Sequence, residues 1–254
     1  MSKIKKLVLP MSGGMDSTVL LHKALLEFDE IYCITFDYGQ RHSKEITCAE
    51  TQIGYARKKH KRVYHQVLDI RFLKELAPTS SLTNDSIDTP NIRDIQGEAQ
   101  PKTYVPNRNM LFLSIAAARA EAVGATTIWH GAAQADSLAG YWDGSVEFLD
   151  SINNILNLNR ASPVVVEAPL IEMSKADIVR EGINHKVKFS ETWTCYDGSN
   201  LPDYTTASSS LRLQGFIDAG FADPLIYKDQ RKLTDKYNEL GVGLIDYETY
   251  IFKL

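Results

Sequence analysis

Residues 12–17 read Ser-Gly-Gly-Met-Asp-Ser and follow the apolar run Leu7-Val8-Leu9. Gly13 and Gly14 let a backbone wrap an anion closely. A helix that starts beyond them offers unpaired N–H groups and the positive end of its dipole. Ser12 and Ser17 add hydroxyl donors. No lysine follows in the GxxxxGK[ST] pattern, and the spacing is not GxGxxG. A loop holding Asp16 but no lysine suits a pyrophosphate complexed to a metal ion. The plainer reading is a turn in which Asp16-Ser17 caps a helix. The whole string, placed after a buried strand, outweighs it.

Such a loop needs a strand before it and a helix after it. Strands are expected at 7–9, 31–36, 62–67 and 126–132. Helices are expected at 17–26, 44–59, 108–125, 146–158, 175–182 and 209–220. Apolar residues alternate or cluster in the first set and follow a helical period in the second. Strands alternating with helices predict βαβ units and a doubly wound parallel sheet. Asp37, Gln40 and Arg41 then fall just past a strand's C-terminal end, where open α/β sheets bind ligands. Arg108 and Asn109 begin a helix and can face the same crevice. Lys175 opens another and can neutralise phosphate charge in a transition state. Each has a bland alternative: a solvated Arg41, a salt-bridged Arg108, an ordinary first-turn Lys175. The polar stretch 77–103 is long enough to predict a lid or a disordered segment.

Composition narrows the class further. Of 254 residues, 28 are basic and 32 acidic, a net charge of -4 that disfavours bulk nucleic-acid binding. Three cysteines, Cys33, Cys48 and Cys195, form no CxxC pair and suggest no disulfide framework. A reducing cytoplasm is the expectation. The N-terminal apolar run is too short for a signal peptide, and no stretch approaches a membrane span. His42 reads as a phosphate contact or a surface residue, and His130 as pocket-lining or simply buried.

The string SGGMDS resembles the pyrophosphate-loop ATPases, which adenylate an oxygen and release pyrophosphate. The strings 36–45 (FDYGQRHSKE), 103–125, 168–179, 191–198 (ETWTCYDG) and 211–224 are together similar to the QueC family of 7-cyano-7-deazaguanine synthases. The resemblance implies a pyrophosphate-loop domain over 1–226 and an extension over 227–254. It implies ATP and Mg2+, a 7-carboxy-7-deazaguanine substrate, ammonia as nucleophile and a homodimer. Carried onto this chain, Leu9, Ser12, Gly13, Gly14, Asp16, Ser17, Phe36, Arg108 and Lys175 would hold ATP. Asp37, Tyr38, Gly39, Gln40, Arg41, Asn109, Asp136, Tyr141 and Asp143 would hold the acceptor. Asp16 and Lys175 would be catalytic.

Three departures qualify that expectation. The family's zinc cysteines survive only at Cys195, with Asp203, Thr206 and Ser209 at the other positions. One thiolate among hydroxyls makes a poor zinc site, so zinc is expected to be absent. A family Cys-Arg pair is replaced by Gly144-Ser145, which puts the acceptor and the nitrile-forming step in question. The tail beyond 226, rich in aromatic and aliphatic residues, is expected to pack across a dimer or onto a partner protein. Beside the nitrile synthase stand two other readings. One is a relative from antiviral operons that conjugates the acyl group to a protein amine. The other is a non-catalytic nucleotide or deazapurine sensor, which an intact SGGMDS with Lys175 argues against.

Overall fold

The computed structural model describes residues 4–41, 44–60, 62–91, 100–195, 200–239 and 243–253. Five parallel strands form one sheet in the order β3-β2-β1-β4-β5. They are β1 (Lys6–Pro10), β2 (Glu30–Asp37), β3 (Val63–Asp69), β4 (Thr127–Trp129) and β5 (Val165–Glu167). The helices are α1 (Met15–Glu27), α2 (Lys44–Lys59), α3 (Phe72–Leu76), α4 (Arg108–Val123), α5 (Gln134–Leu138), α6 (Val146–Leu156), α7 (Lys175–Asn184) and α8 (Ala207–Ala219).

Side chains alternate across a strand, and β1 shows the consequence. Leu7 and Leu9 pack with Val19 and Leu20 of α1, Ile53 of α2 and Ile178 of α7. Val8 faces the other way, toward Leu113 and Ala116 of α4 and Phe148 and Ile152 of α6. Helices therefore cover both faces, as expected of a doubly wound sheet. Strand order reverses at β1, between β2 and β4, which is where such sheets open a ligand crevice.

The structure adds one strand to those expected: β5, three residues long like β4, has no counterpart in the sequence reading. The stretch 77–103 is packed over the parts that are described: Ser80, Ser81, Leu82 and Thr83 are buried. Thr83 Oγ1 donates to Ala77 O at 2.6 Å, and Asn84 Nδ2 to Pro78 O at 2.8 Å. Its polar residues satisfy its own backbone, which is what lets an irregular segment be buried. Residues 92–99 lie outside the described residues.

The tail packs onto its own chain. Beyond β6 (Phe221–Ala222) come α9 (Gln230–Glu239), β7 (Ile245–Asp246) and α10 (Tyr247–Lys253). β7 pairs in parallel with β6. Tyr247 is fully buried, its ring 5.1, 5.7 and 5.9 Å from those of Phe189, Phe216 and Phe221. Leu233 of α9 packs with Leu213, Leu225 and Tyr227. Tyr247 is thus taken up within the chain, where Phe189, Phe216 and Phe221 leave a matching apolar surface, while Ile226, Ile245 and Tyr250 stay exposed.

Candidate active site

The loop 12–14 leaves β1 at the strand-order reversal and delivers the chain into α1. Gly13 has φ +84°, a left-handed conformation that favours glycine. A Cβ there would lie 2.2 Å from Glu45 O and 2.6 Å from Ala49 N, so α2 also closes on this backbone. Gly14 caps α1 in extended conformation without a side-chain cap. The Asp16-Ser17 cap of the plainer sequence reading is therefore not how α1 begins. Ser12 Oγ and Ser17 Oγ lie 3.0 Å apart, and Thr18 Oγ1 donates to Gly14 O at 2.7 Å. The first N–H groups of α1 face a loop with little side chain in the way.

Across this loop, Lys175 Nζ lies 2.9 Å from each carboxylate oxygen of Asp16. Ser174 begins α7 with a capping box: its Oγ accepts from Asp177 N, and Asp177 accepts from Ser174 N. That cap fixes where the Lys175 stem starts. Burial opposes a charged Lys175, but the charges of Asp16 and Asp136 outweigh it and hold the amine above its ordinary range. Burial raises Asp136, and Lys175 partly offsets the shift. Asp136 is oriented by Ala133 N, which donates to Oδ2 at 2.8 Å.

A pocket extends from this pair to an aromatic wall. Phe36 and Phe112 stack with centroids 4.0 Å apart and planes 12° apart. Tyr38 tilts against Phe112, and Arg108 donates to Tyr38 OH at 3.3 Å. Arg108 also lies over both rings, 5.7 Å from that of Tyr38 and 5.8 Å from that of Phe112. Asn109 lines the same wall, and Tyr141 is hydrogen-bonded to Thr103 Oγ1.

The structure distributes the remaining sequence-derived residues differently. Leu9 is core, with no exposed surface. Gln40 reaches the pocket, but its amide serves the backbone, donating to Phe36 O and accepting from Tyr38 N. Asp37 accepts from Gly39 N at 3.1 Å and lies 3.8 Å from Arg71, away from the pocket wall. Gly39 packs on Lys74. Arg41 is not on the wall either. It donates to Asn84 O at 2.8 Å and to Ile87 O at 3.0 Å, and pairs with Asp85, so it anchors the 77–91 segment. Asp143 is buried behind the wall, and burial raises its carboxyl. His42 lies outside the described residues.

Thr35, Thr194 and Ser208 on the wall carried no sequence signal, whereas His130, which the sequence left between the pocket and simple burial, is found on the wall and buried. Thr35 Oγ1 donates to Met11 O at 2.6 Å and ties β2 to the loop. His130 follows β4, with Nε2 enclosed and without a hydrogen-bond partner, and burial pushes its imidazole down to about 4. Thr194 and Ser208 complete the far side. A lone Thr or Ser in an apolar stretch has no pattern that marks it.

At the former zinc positions, Cys195 Sγ lies 3.7 Å from Thr206 Oγ1. Asp203 Oδ1 accepts from Thr205 N and Oγ1, and Ser209 Oγ is buried without a partner. Among the described residues, no three His, Cys, Asp or Glu side chains gather in a metal-binding group. Gly144 lines the pocket, while Ser145 caps α6 by accepting from Phe148 N at 3.1 Å.

A doubly wound parallel sheet, with a glycine loop at the exit of its first strand and a charged pair at the switch point, places this chain among the open α/β proteins whose ligand crevice lies at the strand-order reversal. Within that class the chain belongs to the QueC family, described as queuosine biosynthesis protein QueC, whose sequence profile matches residues 6–220. A 7-cyano-7-deazaguanine synthase of Clostridium kluyveri is 37% identical over 90% of this chain and 100% of its own length. One from Thermoplasma volcanium is 41% identical over 88% of this chain and 91% of its own. Among solved structures, NMN synthetase from Francisella tularensis aligns at TM-score 0.46 and 13% identity, over 98% of this chain and 82% of its own, a likeness too distant to carry argument. No described helix is long and apolar enough to cross a membrane.

Proposed function

We propose that this chain is an ATP-dependent carbon–nitrogen ligase that adenylates the carboxylate of 7-carboxy-7-deazaguanine or a related deazapurine. The observation that carries this is the Asp16–Lys175 pair, set between the glycine loop at the α1 N-terminus and a pocket wall that carries Phe36, Tyr38, Phe112 and Arg108. Family membership and the names of the relatives support the substrate class.

The residues divide the work by chemistry. A carboxylate oxygen attacks the α-phosphorus, and the bond to the pyrophosphate oxygen breaks. The α1 N-terminus and the Gly13-Gly14 backbone offer N–H groups to the leaving anion. Lys175 adds positive charge where negative charge grows. Asp16 is a hard oxygen donor, part-buried and facing the pocket, and it fits Mg2+. That ion, when bound, neutralises pyrophosphate oxygens. Phe36, Phe112 and Tyr38 provide faces for flat heterocycles, and Arg108 provides a cation beside them. A nitrogen nucleophile then attacks the acyl carbon, AMP departs, and the nitrogen loses its proton.

One observation favours a nucleophile larger than ammonia. Ala135, Ala139 and Gly144 put small side chains on one wall, between Asp136 and Tyr141. An amine on a peptide or protein would enter there, and amide would form with little or no nitrile. Incubation with 7-carboxy-7-deazaguanine, ATP and ammonium, followed by product analysis, tests both levels. AMP with pyrophosphate is expected, and ADP with phosphate would overturn the adenylation. Efficient release of free nitrile would overturn the second reading alone.

A further inference from the structure

We propose that Tyr227, in the extension beyond the family match, is a positioning residue for the pyrophosphate loop. It acts through a buried relay of Asp223, Arg212 and the segment 189–194. The links from Tyr227 to Thr192 are hydrogen bonds of 2.6 to 2.9 Å. Tyr227 OH donates to Asp223 Oδ2 at 2.6 Å. Asp223 also accepts from Arg212 Nε at 2.7 Å, from Arg212 Nη2 at 2.9 Å and from Leu225 N at 3.0 Å. Four donors saturate a carboxylate with no exposed side-chain surface.

Arg212, itself 1% exposed, spends its other hydrogens on one short segment. It donates to Thr192 Oγ1 at 2.7 Å, Phe189 O at 2.9 Å and Thr194 Oγ1 at 3.4 Å. Those contacts bracket Trp193. Trp193 N in turn donates to Gly13 O at 3.0 Å, and a Cβ on Gly14 would lie 3.5 Å from Trp193 O. The residue between the two threonines therefore grips the loop proposed to cradle pyrophosphate.

The grip matters because it holds the Gly13 carbonyl from outside, whereas Ser12, Ser17 and Thr18 tie the loop only to itself and to the start of α1. The loop's glycines have no side chains, and Gly14 makes no side-chain cap. A buried, bidentate Arg–carboxylate pair is directional, so it fixes the angle at which segment 189–194 meets the loop. Tyr227 orients the carboxylate that orients Arg212. Cys195, the surviving zinc-ligand position, directly follows this segment, and the Trp193 indole donates to its carbonyl at 2.8 Å. The extension thus supplies a hydrogen-bonded hold beside the position where the family resemblance implied a metal-bound one.

The inference rests on the ATP reading above, and its test separates the two. Calorimetry measures ATP–Mg2+ affinity for the wild-type chain, Tyr227→Phe, Thr192→Val and the double variant. Tyr227→Phe removes one hydroxyl and leaves the Arg212–Asp223 pair intact. Thr192→Val removes one acceptor at the other end of the relay. Each is expected to weaken ATP by about 2- to 30-fold. The double variant is expected to fall short of the product of the two effects, as coupled positions do. Tyr227→Phe should also raise KM for ATP more than it lowers kcat. A role confined to stability would lower the unfolding temperature and leave ATP affinity unchanged, which overturns the proposal. Independent, multiplicative effects would overturn it as well. A wild-type chain that binds no ATP overturns instead the reading on which it rests.

Discussion

Lys175 and Asp16 lie 159 positions apart in sequence, yet the Lys175 Nζ sits 2.9 Å from both oxygens of the Asp16 carboxylate. The contact joins the first turns of α1 and α7 across the crevice. Each side chain is part-buried, so the pair is screened less than a surface ion pair. Without a nucleotide, each group supplies the other's counter-charge. With one bound as proposed, both would face the phosphates.

Replacing either member should therefore abolish most turnover while leaving the fold intact. Asp16→Asn and Lys175→Gln are each expected to lower kcat by roughly 10²–10³. Pyrophosphate release in the presence of the deazapurine carboxylate measures this. A loss of less than tenfold in both would remove the pair from the chemistry.

The placement of Lys175 depends on a close helix contact. A Cβ on Gly215 of α8 would lie 2.6 Å from Lys175 Cβ and 3.0 Å from its carbonyl carbon. Gly215→Ala must push α7 and α8 apart and move the amine. Helix propensity alone would favour alanine by about 1 kcal/mol. The expected outcome is lower kcat in a protein that stays folded, read by circular dichroism beside steady-state kinetics. Unchanged kcat would mean that the helix pair relaxes without moving Lys175.

Stability should fall on acidification through a buried histidine. Burial, with the Lys59 charge adding to it, pushes His22 from 6.5 down to about 4. The unfolded chain therefore binds a proton before the folded chain does. The stabilisation is full above pH 6.5, is lost between 6.5 and about 4, and amounts to up to about 3 kcal/mol. Denaturant unfolding across that window should show a shallower slope with pH in His22→Gln than in the wild type. Identical slopes would assign the acid sensitivity elsewhere.

Zinc content is expected to be well below one equivalent. The Cys195 thiol faces Thr206, and Asp203 is turned into its own loop. Elemental analysis of protein purified without chelator measures it directly. A full equivalent that disappears in Cys195→Ser would restore a metal site there.

Local chemistry determined a good deal of this protein. The alternation of strands with helices follows from hydrophobic period, and α2 spans residues 44–59, the limits its sequence predicts. The turn from β1 into α1 was legible because its signals are contiguous: an apolar run, two glycines and a helix start. The residues past β2 were less legible. Strand periodicity ends at Asp37, so the sequence cannot say that Tyr38 and Gln40 turn to the pocket while Arg41 turns to the 77–91 segment. The approach of Lys175 to Asp16 and the Arg212 relay have no local signal at all, and for His130 the sequence left the pocket and simple burial equally open. They arise because strand order brings β4 beside β1 and packs α7 and α8 against that edge, a long-range arrangement that residue spacing does not encode. The tail shows the same division. Its aromatic residues announced a packing surface, but only the tertiary structure decided that Tyr247 meets Phe189, Phe216 and Phe221 of its own chain, because those partners lie on three separate segments.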